Sequence, residues 1–111
     1  MPQRDRSCLQ ISARHLGVLQ EILAKEVPHA DVWAYGSRVT GGAHEGSDLD
    51  LVLRNPADLA RDASGWIDLV ESLQSSQLPM LVQVHLWSRL PASFQRNIEA
   101  AYVVIRSATD C

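Results

Sequence analysis

A glycine and a serine stand ten residues ahead of two closely spaced aspartates, and these four residue types could together do chemistry. They are Gly36 and Ser37, followed by Asp48 and Asp50. Side chains two positions apart in a β-strand project from the same face, so a strand here presents two carboxylates side by side. Proteins usually hold Mg²⁺ through one or two carboxylates, with water and substrate phosphates as the remaining ligands. The aspartates therefore predict a Mg²⁺ site that works with a nucleoside triphosphate.

The turn ahead of the aspartates suits the binding of that triphosphate. Gly36 lets the backbone approach a phosphate with no Cβ in the way, and Ser37 offers a hydroxyl and a backbone N–H at a predicted helix start. Arg38 follows directly and is predicted to contact the phosphates as a cation, with a surface salt bridge as the alternative. Apolar runs at 32–35 and 51–53 predict buried strands beside both halves of the motif.

The order Gly-Ser, ten residues, Asp-x-Asp resembles the signature of the minimal nucleotidyltransferases of the DNA polymerase β superfamily. The stretch YGSRVTGGAHEGSDLDLVL is similar to the family's phosphate turn, short helix and metal strand, and residues 72–105 resemble its C-terminal half. The resemblance implies transfer of a nucleoside monophosphate, usually AMP from ATP, to a hydroxyl. It also implies a separately encoded helical HEPN protein as partner. Some such pairs act as antitoxin and toxin, with AMP placed on a tyrosine of the HEPN protein.

This sequence departs from the family at the third metal-binding position. In the family, the strand after a Ser-x-Leu-Pro turn carries a third carboxylate, which completes the metal site and can help to deprotonate the attacking hydroxyl. The matching stretch here runs from Val82 to Trp87, with Gln83 at the position of that carboxylate and Leu86 at that of a further aspartate. A glutamine offers a neutral oxygen that can ligate a metal weakly, but it cannot act as a base at neutral pH.

An imidazole on the same strand could supply the base. His85 lies two residues after Gln83 and so is expected on the same strand face, although a histidine in an apolar strand can equally be a packing residue. Loss of general-base help costs on the order of 10²–10⁴ in rate, and weaker metal binding adds to that. Two functions are therefore open. One is a Mg²⁺-dependent nucleotidyltransferase, and the other is a catalytically impaired module that binds nucleotide or partner and neutralises a HEPN toxin by complex formation.

Composition predicts one small domain. The chain has 111 residues, of which 46% are apolar, and we expect a single domain over residues 1–111. A net charge of −3 argues against nucleic-acid binding without a partner, because no basic stripe is present to neutralise phosphates. The sequence has no apolar run of membrane-spanning length and no signal peptide, so a cytoplasmic protein is expected. So small a domain has little surface for recognising an acceptor, which favours a partner protein or a homo-oligomer.

The elements that position these residues follow from apolar spacing and from Pro, Gly and Ser breaks. Helices are predicted over residues 13–27, 57–74 and 91–106. Strands are predicted over residues 31–36, 48–54 and 80–87, with a helical turn over 37–42 and a loop over 43–47. Ser12 is the predicted N-cap of the first helix. This order predicts an α/β protein, and the resemblance implies the polymerase β-like nucleotidyltransferase fold, a small mixed sheet with helices packed on it.

Overall fold

Five strands form one mixed sheet in the computed structural model, which describes residues 3–4, 8–41 and 47–108. The strands are β1 (Gln3–Arg4), β2 (Asp31–Tyr35), β3 (Leu49–Arg54), β4 (Val82–Leu86) and β5 (Tyr102–Arg106). Their order across the sheet is β1-β5-β2-β3-β4. Strand β2 runs antiparallel to both of its neighbours, whereas β3 with β4 and β1 with β5 are parallel pairs. The expected α/β fold with a small mixed sheet is confirmed.

Four α-helices lie between the strands in the described part of the chain. They are α1 (Ala13–Glu26), α2 (Ser37–Thr40), α3 (Trp66–Gln74) and α4 (Ala92–Ala100), with a short 3₁₀ helix at Trp87–Arg89. The first begins where expected, because the Ser12 hydroxyl accepts a hydrogen bond from the backbone N–H of His15 at 3.2 Å. Of the predicted loop over 43–47, only residue 47 lies within the described residues. No helix in the described part of the chain is both long and apolar enough to cross a membrane.

The helix predicted over residues 57–74 is wrong in its first half, because α3 begins only at Trp66. In the preceding segment, side-chain oxygens of Asn55 and Asp58 accept hydrogen bonds from backbone N–H groups two residues further on, both at 3.0 Å. Such local bonds offer the backbone an alternative to the helix. Gly65 then forms the N-cap of α3 with a left-handed φ of 87°.

The helix predicted over residues 91–106 is wrong in its second half. The last helix, α4, ends at Ala100, and the following residues form β5, which lies between β1 and β2. The sequence Tyr-Val-Val-Ile-Arg of β5 is aromatic and β-branched, which favours a strand. Val103 and Ile105 are buried while the residues between and beside them are half-buried, as expected for a strand with one face in the core.

The sheet separates two clusters of side chains. The aliphatic face carries the main core, to which α1 and α3 contribute; its fully buried members include Leu19, Leu23, Leu49, Leu51, Leu53, Leu69 and Val103. The aromatic face carries a second cluster, to which α4 contributes; it consists of Trp33, Tyr35, Val52, Trp87 and Ile98. Because strand residues alternate between faces, the leucines of β3 belong to the first face and Asp50 belongs to the second.

Candidate active site

Two neighbouring strands, β3 and β4, bring the predicted metal-binding residues together on the aromatic face. Asp50 of β3 stands directly opposite Tyr35 of β2 on one side and Gln83 of β4 on the other. Asp48 lies immediately before β3, and its Oδ2 accepts a hydrogen bond from the Gln83 side-chain amide at 3.3 Å. The two aspartates and the glutamine that the sequence assigned to one metal site are therefore adjacent.

Gly36 makes room for the carboxylate of Asp50. A Cβ placed at position 36 would lie 2.6 Å from Asp50 Oδ2. Gly36 also has a φ of 85° and a ψ of −158°, a region that is essentially restricted to glycine. The sequence predicted this glycine as a site for phosphate approach and missed its contact with Asp50. In the sequence, only the ten-residue spacing between the Gly-Ser turn and the Asp-x-Asp pair indicated a shared site. The contact itself joins the end of β2 to β3, so no local pattern shows it.

The two residues after Gly36 differ sharply in exposure. Ser37 begins α2 and is exposed, so its hydroxyl is accessible to a ligand. Arg38 is only 7% exposed. Its guanidinium donates to the backbone carbonyl of Gln10 at 2.6 Å and to that of Ser47 at 2.9 and 3.1 Å. Arg38 therefore holds the residue directly before Asp48, and its contact with phosphate stays a prediction.

His85 lies on the aromatic face together with Gln83. Its ring centroid is 6.2 Å from that of Tyr35 and 6.3 Å from that of Phe94. Phe94 belongs to α4, is 38% exposed, and meets Tyr35 edge to face at 6.0 Å between centroids. The imidazole thus lies beside two aromatic rings on the face that carries Asp50, while its role as a base stays a prediction.

Burial and like charge disfavour ionisation in this site. Burial is the main cause that raises the pKa of Asp50 above its usual value; His85 lowers it and Asp48 raises it further. The pKa of Tyr35 is also raised, first by burial and then by the charge of Asp50. A divalent cation beside the two aspartates would offset their mutual repulsion, because a bound ion is the largest local charge in such a site.

The oxygen atoms of this site fit Mg²⁺ in chemical type. Asp48 and Asp50 supply the one or two carboxylates that Mg²⁺ usually takes, and the Gln83 amide would present its oxygen after a half-turn. Among the described residues, no group of three or more His, Cys, Asp or Glu side chains could hold a metal ion. A neutral glutamine at the third position would leave more of the coordination shell of a bound Mg²⁺ to water and nucleotide.

Exposure differs between the two carboxylates, because Asp50 is half-buried. Asp48 and Ser37 are exposed, and Gln83 and His85 are half-buried. Two grooves of the described surface lie elsewhere, one along residues 62–68 and the other where α3 approaches the start of β4. Neither of these two grooves includes a residue of the predicted metal site.

Comparisons with known proteins identify related sequences. The sequence model of the nucleotidyltransferase domain matches residues 16–105. The "Probable protein adenylyltransferase MntA" of Haemophilus influenzae is 40% identical over 101 residues, which cover 88% of this chain and 84% of that protein. The family match runs from α1 to β5 and includes every residue that the sequence assigned to the site.

Proposed function

The chain belongs to the nucleotidyltransferase domain family, as one of its minimal members, and on this basis we propose that it transfers AMP from ATP to a hydroxyl of another protein. The observation that carries the proposal is the convergence of Gly36, Asp48 and Asp50 at one edge of the aromatic face. The relative from Haemophilus influenzae is named a protein adenylyltransferase, which supports AMP as the transferred group and a protein as the acceptor.

The proposed reaction is an in-line displacement at the α-phosphorus of ATP. The acceptor oxygen forms a bond to that phosphorus, the bond to the oxygen bridging to the β-phosphate breaks, and pyrophosphate leaves on the opposite side. When bound, Mg²⁺ would neutralise and polarise the phosphate oxygens. Asp48 and Asp50 would hold it, with Gln83 as a weak third ligand. Ser37 and the turn at Gly36 would hold the triphosphate.

The proton of the attacking hydroxyl needs an acceptor, and we assign that role to His85. Gln83 has no basic group, whereas His85 lies on the same strand face and acts electrostatically on Asp50. Neutral imidazole is the side chain best suited to take a proton near neutral pH. The variant His85→Ala should therefore lower kcat by about 10²-fold or more. An unchanged kcat would remove His85 from the reaction.

A HEPN protein that receives AMP on a tyrosine is the acceptor implied by the resemblance, with the two proteins acting as antitoxin and toxin. The exposure of Asp48 and Ser37 supports an acceptor supplied by a partner protein, because a hydroxyl on another protein could reach this end of the site. The partner surface would then bring its hydroxyl to the α-phosphate, which this small chain has little surface to orient unaided.

Gln83 favours a second candidate function, namely binding without chemistry. The neutral amide beside Asp48 lacks both the charge of a third metal ligand and the basicity of a carboxylate. A protein with this site could still bind nucleotide through Gly36 and Ser37 and neutralise a HEPN toxin by forming a stable complex.

Label transfer from α-³²P-ATP in the presence of Mg²⁺ distinguishes the two functions. The wild-type chain and Asp50→Asn would each be co-expressed with a HEPN protein encoded next to it, purified as a complex and incubated with label. Label on the partner with the wild type, and none with Asp50→Asn, supports the adenylyltransferase. A partner that co-purifies with both chains and stays unlabelled supports the binding module.

A further inference from the structure

A buried phenol next to the carboxylates has no hydrogen-bond partner. Tyr35 is the last residue of β2, directly before Gly36, and it is 9% exposed. Within the part of the chain that the structure describes, its hydroxyl is buried and meets neither a donor nor an acceptor. Most buried polar side-chain atoms in proteins have a partner, so an unpaired hydroxyl calls for an explanation. Its position beside the candidate active site suggests that the hydroxyl gains its partner when a ligand binds.

The surroundings of Tyr35 place its side chain beside the candidate metal ligands. Asp50 is its direct cross-strand neighbour, and such pairs on one sheet face have Cβ atoms about 4.5–5.5 Å apart. The charge of Asp50 reaches the phenol and contributes to its raised pKa. His85 and Phe94 pack around the ring at 6.2 and 6.0 Å between centroids. The ring is thus held in place by neighbours, while its hydroxyl remains unpaired.

We propose that Tyr35 is a positioning residue, whose hydroxyl donates a hydrogen bond to the Asp50 carboxylate when that carboxylate binds the metal of a metal–nucleotide complex. This inference rests on the proposed function. Carboxylates that ligate metals are usually hydrogen-bonded by a second residue, which fixes their orientation. A phenol is a hydrogen-bond donor at neutral pH. Because the Tyr35 hydroxyl is already withdrawn from water, the new bond would form on binding without a further desolvation cost.

The proposal requires opposite effects of one substitution on the free and the loaded protein. In the free protein, Tyr35→Phe removes a buried polar atom that has no partner, so stability should stay the same or rise. In the loaded protein, the same change removes the hydrogen bond to Asp50, so metal affinity should fall. A tyrosine with a purely structural role would not show this combination, because loss of its hydroxyl would lower the stability of the free protein.

Tyr102 provides a matched control for this substitution. It lies on the same face in β5 and stacks on Trp33 with ring centroids 3.9 Å apart. Strand β2 lies between β5 and β3, so Tyr102 is not a direct neighbour of Asp50. The variants Tyr35→Phe and Tyr102→Phe would be compared with the wild type in two measurements. The first is thermal unfolding in EDTA, and the second is calorimetric titration of Mg²⁺ into protein with saturating AMPCPP, an ATP analogue that blocks cleavage at the α-phosphate.

We expect Tyr35→Phe to weaken Mg²⁺ binding by about 10- to 100-fold, as for other residues that orient metal ligands, with an unfolding temperature in EDTA no lower than that of the wild type. Tyr102→Phe should leave the Mg²⁺ affinity unchanged. Equal Mg²⁺ affinities of Tyr35→Phe and the wild type would overturn the proposal, as would a lower unfolding temperature in EDTA. Failure of the wild type itself to bind Mg²⁺ and AMPCPP would overturn the proposed function as well, so the two failures are distinguishable.

Discussion

The two faces of the sheet use the same strands for different purposes. On the aliphatic face, leucines from β3, α1 and α3 are buried in one continuous cluster. On the aromatic face, Asp50 is half-buried with a raised pKa, and the buried Tyr35 hydroxyl has no partner within the described residues. Burial that stabilises the first face is unfavourable for the charged and polar groups of the second. The aliphatic face therefore stabilises the fold and offsets the unfavourable burial of polar groups in the candidate active site.

Asp50→Asn should have the largest effect, and on activity alone. Removing one of two metal-binding carboxylates should lower nucleotidyl transfer by on the order of 10³-fold or more, because the metal would lose a charged ligand. The folded protein should be at least as stable as the wild type near neutral pH, since burial already disfavours the charged form of Asp50. Label transfer and thermal unfolding measure the two effects. A clear fall in the unfolding temperature of Asp50→Asn would show that Asp50 also stabilises the fold, and would contradict the division between the faces.

Leu51→Ala tests the opposite face at the next position of the same strand. Leu51 is fully buried in the aliphatic cluster. Its truncation should lower the free energy of unfolding by about 2–5 kcal/mol, through lost burial and the cavity left behind. Urea denaturation would measure this loss. Activity per folded molecule should change little, and a loss as large as that of Asp50→Asn would contradict the division between the faces.

Two glycines with positive φ sharpen the comparison. A Cβ at Gly65 would lie 2.1 Å from the backbone oxygen of Glu26, at the end of α1, whereas a Cβ at Gly36 would meet the movable carboxylate of Asp50. Both alanine variants should lose roughly 1–3 kcal/mol of stability, because each forces a non-glycine residue into a left-handed backbone, with Gly65→Ala the worse. Only Gly36→Ala should also lose activity per folded molecule. Denaturation combined with label transfer separates the two effects, and an inactive folded Gly65→Ala would be the contrary result.

Gln83→Asp would add a third carboxylate to the aromatic face. If the wild type is an impaired enzyme, the variant should raise the rate of AMP transfer by about 10-fold or more, through tighter metal binding and a possible base. Its stability in EDTA should fall, because a third negative charge would stand beside Asp48 and Asp50. The variant Gln83→Glu is the matched control, because it adds the same charge on a side chain of a different length. A slower reaction with Gln83→Asp would show that the amide itself serves the wild-type site.

The smallest effect is expected from an ion pair on neither face. Asp62, in the segment before α3, accepts hydrogen bonds from Arg89 and Ser88, both at 2.6 Å at closest approach, and these bonds lower its pKa. A depressed folded-state pKa adds stability above the unfolded-state value and loses it as the pH falls through the folded-state value. Asp62→Asn should therefore cause a small loss of thermal stability near neutral pH that disappears in acid, because exposed pairs contribute little. Unfolding temperatures of the variant and the wild type, measured from neutral to acid pH, test this pH dependence. Activity should be unchanged.

Local signals predicted the elements that carry the site. The Ser12 cap began α1, and apolar runs gave β2, β3 and β4 to within two residues at each end. The same signals failed at β5, because Phe94, Ile98 and Ile105 have helical spacing although the last of them belongs to a strand. That strand is stabilised by pairing with β1 and β2, which are remote in sequence. Side-chain caps at Asn55 and Asp58 likewise overrode the helix expected before α3.

The sequence by itself determined which residue types were available for chemistry. It also determined that Gln83 and His85 lie on one face of their strand, because strand periodicity is a local property. The spacing between the Gly-Ser turn and the two aspartates was also enough to indicate the nucleotidyltransferase family. Only the tertiary structure decided which strands are neighbours, and with them the contacts of these side chains. It turned Arg38 inward onto the carbonyls of Gln10 and Ser47, set the Asp50 carboxylate against Gly36, and buried the Tyr35 hydroxyl. Those contacts join residues from different elements, so no local pattern in the sequence could specify them.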